Sequence, residues 1–176
     1  AQLTKLWIPA SVRVIGDDAF VSQELKELTF QDDKEHPSQL TTIGARAFQS
    51  TTLKTLTLPG SVVTIGYNAF AGMSGLTSIH LGANVGADQL VAAFVGTSAL
   101  TSIEVDAANT NYASVDGVLY SKDHSHLIAY PQAKNRGGAY AVVGGVTQID
   151  DYAFAGATIA TVTLPSSLRT IGEYAF

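Results

Sequence analysis

"LTLPGSVVTIGYNAF" at residues 56–70 is written almost unchanged as "LWIPASVRVIGDDAF" at 6–20 and as "VTLPSSLRTIGEYAF" at 162–176. Repetition at a fixed period marks a stacked architecture, in which one unit cannot bury its own apolar face and its neighbours must cover it. Aligning the chain on the closing Phe extends the frame to L-x-x-L-x-L-P-x-S-V-x-x-I-G-x-x-A-F. One copy ends at Phe20. The next, "LKELTF", is interrupted by "QDDKEHPSQ" and resumes as "LTTIGARAF" to Phe48. Further copies end at Phe70, Phe94, Phe154 and Phe176. The copy ending at Phe94 lacks the I-G pair. Another opens as "LTSIEV" at 100–105, and a long replacement segment follows before "AYAVVGGVTQIDDYAF" restores the frame. Uninterrupted neighbours step by about 23 residues, inside the leucine-rich-repeat range.

The columns of this alignment have a physical logic. Leu6, Leu28, Leu56, Ile79, Ile103, Tyr140 and Val162 form one apolar column. Ile8, Phe30, Leu58, Leu81, Val105, Val142 and Leu164 form a second, two residues on. That spacing predicts a strand with one buried face. Val12, Leu40, Val62, Val85, Val146 and Leu168 make a third column, and Ile15, Ile43, Ile65, Ile149 and Ile171 a fourth. The closing Phe residues complete a spine; the chain's one other Phe, Phe30, already sits in the second column. Gly16, Gly44, Gly66 and Gly172 follow the fourth column, which predicts a turn at positive φ, with Asp150 taking the same place in one coil. Ser11, Ser61, Asn84 and Ser167 are expected to hydrogen-bond the backbone of the neighbouring coil. Pro9, Pro59 and Pro165 mark strand ends.

Composition removes several function classes. The chain has 176 residues, 46% hydrophobic and 14% charged, with a net charge of −5 and a pI near 5.2. Disorder is excluded by the apolar content, and nothing provides the basic footprint of a nucleic-acid binder. There is no Cys, hence no disulfide framework and no thiolate site. No apolar run approaches the roughly 20 residues of a membrane span, and no signal peptide opens the chain. The sequence begins almost directly on a repeat, so further repeats or domains are expected to flank it. The expected fold is a single β-rich solenoid over residues 1–176, of about seven coils by the alignment above. It has a parallel sheet on the concave side, short or helical turns opposite, and an inserted hairpin near 106–139.

The repeats resemble BspA-type leucine-rich repeats, a bacterial surface class related to the treponemal repeats. "NTNYASVDGVLYSKDHSHLIAYP" also resembles the hairpin-bearing coil that interrupts many such arrays. The resemblance implies a secreted or cell-surface protein acting in adhesion to host proteins or other cells. From the residues themselves, "VDGVLYS" and "HLIAYP" separated by "KDHS" predict a hairpin from about Val115 to Pro131, with Asp116-Gly117 as a bend or bulge ahead of it. The hairpin is either a local elaboration that adds core residues such as Leu119 and Leu127, or a protruding contact element.

No catalytic, cofactor or metal site is expected. His124 and His126 lie two apart on a turn but lack further ligands for zinc. Asp106, Asn109 and Asn111 faintly resemble a calcium loop without its Gly and closing Glu. "QDDKEH" at 31–36 reads as a solvated acidic loop. There is no phosphate-loop pattern and no nucleophile elbow. What remains is surface. Residues between the strand columns point outward. One outward row is Lys5, Glu27, Thr55, Ser78, Ser102, Ala139 and Thr161, and the other is Trp7, Thr29, Thr57, His80, Glu104, Ala141 and Thr163. Candidate contacts are Trp7, the chain's one Trp, with His80, Glu104, Ser78 and Ser102 at the centre. Trp7 also has a packing reading, against a preceding coil. The expected function is non-enzymatic binding or adhesion to a host or cell-surface protein or glycan. The alternative is a structural spacer that presents other domains and has no ligand of its own.

Overall fold

The computed structural model describes residues 2–87 and 89–176. The chain winds through about eight turns of a β-solenoid, and no helix forms among the described residues. Its strands are short. The first half holds β1 (Lys5–Ile8), β2 (Val14–Ile15), β3 (Glu27–Phe30), β4 (Thr42–Ile43), β5 (Thr55–Thr57), β6 (Thr64–Ile65), β7 (Ser78–Leu81) and β8 (Ser102–Val105). The second half holds β9 (Tyr112–Val115), β10 (Val118–Ser121), β11 (His126–Ala129), β12 (Ala139–Ala141), β13 (Gln148–Ile149), β14 (Thr161–Thr163) and β15 (Thr170–Ile171).

Most repeats contribute two strands, where the column spacing predicts one; among the described residues the coil ending at Phe94 has only the first. The first carries the alternating apolar pair and stacks in parallel as β1–β3, β5–β7–β8 and β12–β14. Its register keeps like columns together: Leu6 faces Leu28, Leu56 faces Ile79, Ile79 faces Ile103 and Tyr140 faces Val162. The second strand is the residue pair ending in the fourth-column Ile. Ile15, Ile43 and Ile65 pair in parallel through β2–β4–β6, and Leu127, Ile149 and Ile171 through β11–β13–β15.

The interior is a stack of like residues. Leu40, Ile43, Val62, Val85, Val146 and Ile149 are wholly buried. Phe20, Phe48, Phe70 and Phe94 stack ring on ring with centroids 5.4, 6.2 and 5.9 Å apart. Parallel-displaced rings at this spacing add to the gain from burying their area. A second ring stack runs Tyr130–Phe154–Phe176 at 4.9 and 5.0 Å. Tyr130 therefore stands in the Phe spine. The polar brackets lie where the repeat predicts them: Ser61 and Ser167 donate to Leu40 O and Val146 O, and Asn84 to Gly60 O, each at 2.7 Å.

The repeat glycines are needed for a different reason than positive φ. None of Gly16, Gly44, Gly66 and Gly172 has positive φ, which falls instead two residues later, on Asp18, Arg46, Asn68 and Tyr174. A Cβ on Gly66 would lie 2.3 Å from Ala45 N. At Gly44, Gly66 and Gly172 glycine is required because the preceding coil's backbone presses on it, whereas Gly16 has open space. Asp150 holds the same place in its coil, where its carboxylate meets His126 and Gln148.

Candidate functional site

The segment 106–139 joins two parts of the solenoid through a three-stranded meander. Val118–Ser121 pairs antiparallel with Tyr112–Val115 on one side and with His126–Ala129 on the other. Asp116 and Gly117, at φ 49° and 75°, form the two-residue turn between β9 and β10. Consecutive positive φ values are those of a type I′ turn, which Asp-Gly favours. The Asp-Gly pair is thus the apex of a hairpin and not a bulge. Leu119, Tyr120 and Leu127 are wholly buried, so the segment builds core. Its apex meets the strand face: Ile103 N donates to Gly117 O at 2.8 Å, and Ser114 Oγ donates to Ile103 O at 2.6 Å. Lys134 holds the apex from the far side through an ion pair to Asp116 at 3.2 Å.

The expected outward rows are real but not continuous. Lys5 faces Glu27 and Trp7 faces Thr29. Thr55 faces Ser78, which faces Ser102; Thr57 faces His80, which faces Glu104. The rows break between β3 and β5. They break again after β8, where the hairpin apex stands in place of a direct pairing with β12. His80, Glu104, Ser78 and Ser102 therefore sit together on the unbroken sheet β5–β7–β8. Glu104 is exposed and accepts a hydrogen bond from Ser102 Oγ on its own strand, while His80 is half-buried. No ion pair joins His80 to Glu104 among the described residues. Trp7 lies apart, 57% exposed, over the open end of the first coil with Leu6, Val12, Val14 and Phe20.

A second polar surface lies over the meander, in a cleft lined by Asn111, Ser121, Asp123, Ser125, His126 and Asp150 among others. His126 Nδ1 is 2.9 Å from Asp150 Oδ1, and Gln148 Nε2 donates to the same oxygen. Asp123 accepts the Ser125 amide and the hydroxyls of Ser125 and Ser121. These donors hold its carboxyl well below the usual carboxylate range, with the Ser125 amide contributing most. Both serine hydroxyls are thus turned to a carboxylate. His124 does not join His126; its ring tilts against Tyr120 at 5.8 Å.

The other polar candidates are structural braces. Asn109 is wholly buried: its Nδ2 donates to Gly82 O and Val85 O, and its Oδ1 accepts the amides of Asn111 and Tyr112. All its capacity goes to the backbone, which leaves no oxygen for calcium. Asp33 caps the amides of Glu35 and His36, and Asp32 that of Ser38, so the 31–36 loop braces itself. The backbone N–H of His36 lowers the Asp33 pKa. Where the coil ending at Phe94 lacks the I-G strand, Gln89 Oε1 accepts the Ile65 amide in its place. Among the described residues no group of three or more His, Asp or Glu could hold a metal ion, and no helix is long and apolar enough to cross a membrane.

Comparison with known proteins agrees with this architecture. The pattern of the BspA type leucine rich repeat region matches in six copies over residues 1–115 and 141–176. No curated protein matches significantly. Among solved structures, a leucine-rich repeat protein from Eubacterium ventriosum is similar at 28% identity and a TM-score of 0.84, covering 99% of this chain and 45% of its own. The pneumococcal vaccine antigen PcpA is similar at 29% identity and TM-score 0.73, over 99% of this chain and 48% of its own. A leucine rich cell surface protein from Faecalibacterium prausnitzii is similar at 26% identity and TM-score 0.53, over 99% and 58%. The chain thus spans about half the length of these relatives. With six matched copies laid over coils whose like columns stand in register, the chain belongs to the BspA-type leucine-rich-repeat family.

Proposed function

We propose that this chain is a non-enzymatic binding module of a secreted or cell-surface protein, contacting a host or cell-surface protein or glycan through its strand face. The observation that carries this reading is the sheet β5–β7–β8. There His80, Glu104, Ser78 and Ser102 project from adjacent coils whose positions are fixed by an unbroken ladder. A rigid scaffold presents such polar side chains at low ordering cost, which is what a macromolecular contact needs. Trp7 supplies an exposed aromatic at one end of the same face, the type of residue that dominates contact energies. The family resemblance supports a surface location, since one similar structure is described as a cell surface protein.

A spacer without a ligand is the second reading. It is favoured by the relatives' length, about twice that of this chain, and by a threonine-rich face that β-propensity alone explains. An array of host matrix proteins and glycans, probed with the longer native protein, separates the two. Saturable binding that strand-face substitutions abolish supports the module. Silence across the array supports the spacer.

A further inference from the structure

We propose that the strand face holds a vacant strand edge, between β3 and β5, that accepts an extended polypeptide by β-strand addition. This rests on the reading of the strand face as the binding surface and names the class of partner.

The two coils concerned are tightly joined elsewhere. Val63 N donates to Thr41 O, Gly66 N to Ile43 O, Phe48 N to Ala69 O and Ser50 N to Ala71 O, all at 2.8–2.9 Å. Only the first strands part: β3 pairs with β1 alone and β5 with β7 alone, and the two stand away from each other. The parting coincides with Phe30, the one aromatic of its column. Phe30 is left half-buried between Ile8 and Leu58, which are 6% and 2% exposed.

Alternation along a parallel strand says which groups face the gap. Glu27 N and Gln31 N donate to Thr4 O and Ile8 O, so the odd residues of β3 face β1, and Leu28 and Phe30 turn their N–H and C=O toward β5. Leu58 N donates to His80 O, so Thr55 and Thr57 turn theirs toward β3. Two facing edges of unspent donors and acceptors form a template for added main chain.

The molecule fills one such edge itself. Beyond β8, Ile103 N is met by Gly117 O of the hairpin apex. Between β3 and β5 no segment among the described residues does this. Charge defines the rest of the partner. Exposed Lys26 and Lys54 flank the start of the gap, and exposed Asp32 and Asp33 flank its end at β3. The fitting segment runs parallel to β3, with acidic residues first, then alternating β-branched residues that cover Leu28 and Phe30, then basic residues.

The test is amide hydrogen exchange on the 176-residue chain. The probe is a synthetic peptide of glutamates, alternating valine and threonine, then lysines; the control is the same peptide N-methylated at alternate backbone nitrogens. The amides of Leu28, Phe30, Thr55 and Thr57 should exchange early in the free chain and slow by about tenfold or more with the unmethylated peptide. Early protection in the free chain, no slowing, or equal slowing by the methylated peptide overturns the proposal. The broader reading fails separately. Silence on the protein and glycan array, with peptide protection intact, removes the binding module and leaves strand addition standing. Array binding without peptide protection does the reverse.

Discussion

Replacing Phe70 by Ala tests the ring stack at its most loaded point. Phe70 is wholly buried, with Phe48 at 6.2 Å and Phe94 at 5.9 Å, both within 14° of parallel. Truncating a buried Phe costs about 3–5 kcal/mol, and the cost rises with the cavity left behind. Two coils clamp this site, so little collapse can fill the cavity. Each ring pair adds roughly 0.5–1.5 kcal/mol beyond area burial, and two pairs are lost. The expected loss is therefore in the upper half of that range, about 4–5 kcal/mol. Phe20, half-buried with one ring neighbour, should cost about 2 kcal/mol on truncation. Thr57→Ala removes an exposed side chain and should stay within about 0.5 kcal/mol. Urea titration followed by far-ultraviolet circular dichroism measures all three. Similar losses for Phe70→Ala and Thr57→Ala would refute the column assignment. A Phe20 loss equal to that of Phe70 would refute the stacking argument.

Other outcomes follow from contacts already described. Gly66→Ala should destabilise by about 2–3 kcal/mol because its Cβ would meet Ala45 N, whereas Gly16→Ala, with open space and no positive φ, should be neutral within about 0.5–1 kcal/mol; denaturation midpoints decide. Replacing residues 116–130 by a Gly/Ser linker removes Leu119 from the core of the preceding coils and Tyr120, Leu127 and Tyr130 from that of the following ones, and should abolish the cooperative melt of the coils that follow; calorimetry showing an unchanged transition would contradict this. Asn109→Ala strands two amides and two carbonyls and should cost about 2–4 kcal/mol, with the melting temperature of the wild type indifferent to added calcium; a calcium-dependent rise would restore the metal reading.

The sequence discloses the stack well because the physics of stacking repeats each column. Leu56, Ile79 and Ile103 must be alike to share one ladder, and alignment alone finds them. Where one residue type does two jobs, the reading goes astray. Glycine serves both positive φ and close approach, and only the neighbouring coil's backbone at Gly66 tells which applies. Tyr130 was hidden by its hydroxyl, though Ala129-Tyr130 repeats the Ala-Phe ending of every other coil and could have been found by treating Tyr as Phe. The two-residue strands β2, β4 and β6 leave no period to detect. The central cluster of Ser78, His80, Ser102 and Glu104 was legible, since outward alternation follows from the inward columns. The two breaks in the face were not, because they depend on where a distant apex packs and on a missing pairing between β3 and β5 that no column records.

The measurement that bears most directly on the binding reading is the affinity of the His80→Ala, Glu104→Ala double variant for the partner found on the array, taken together with its melting temperature. Both side chains project from β7 and β8, and neither is among the buried residues of the core. The account predicts binding weakened by about tenfold or more, as for a contact near the centre of an interface, with the melting temperature nearly unchanged. Unaltered affinity, combined with loss of binding when the 31–36 loop is changed, would place the contact on the insertion side and contradict the account.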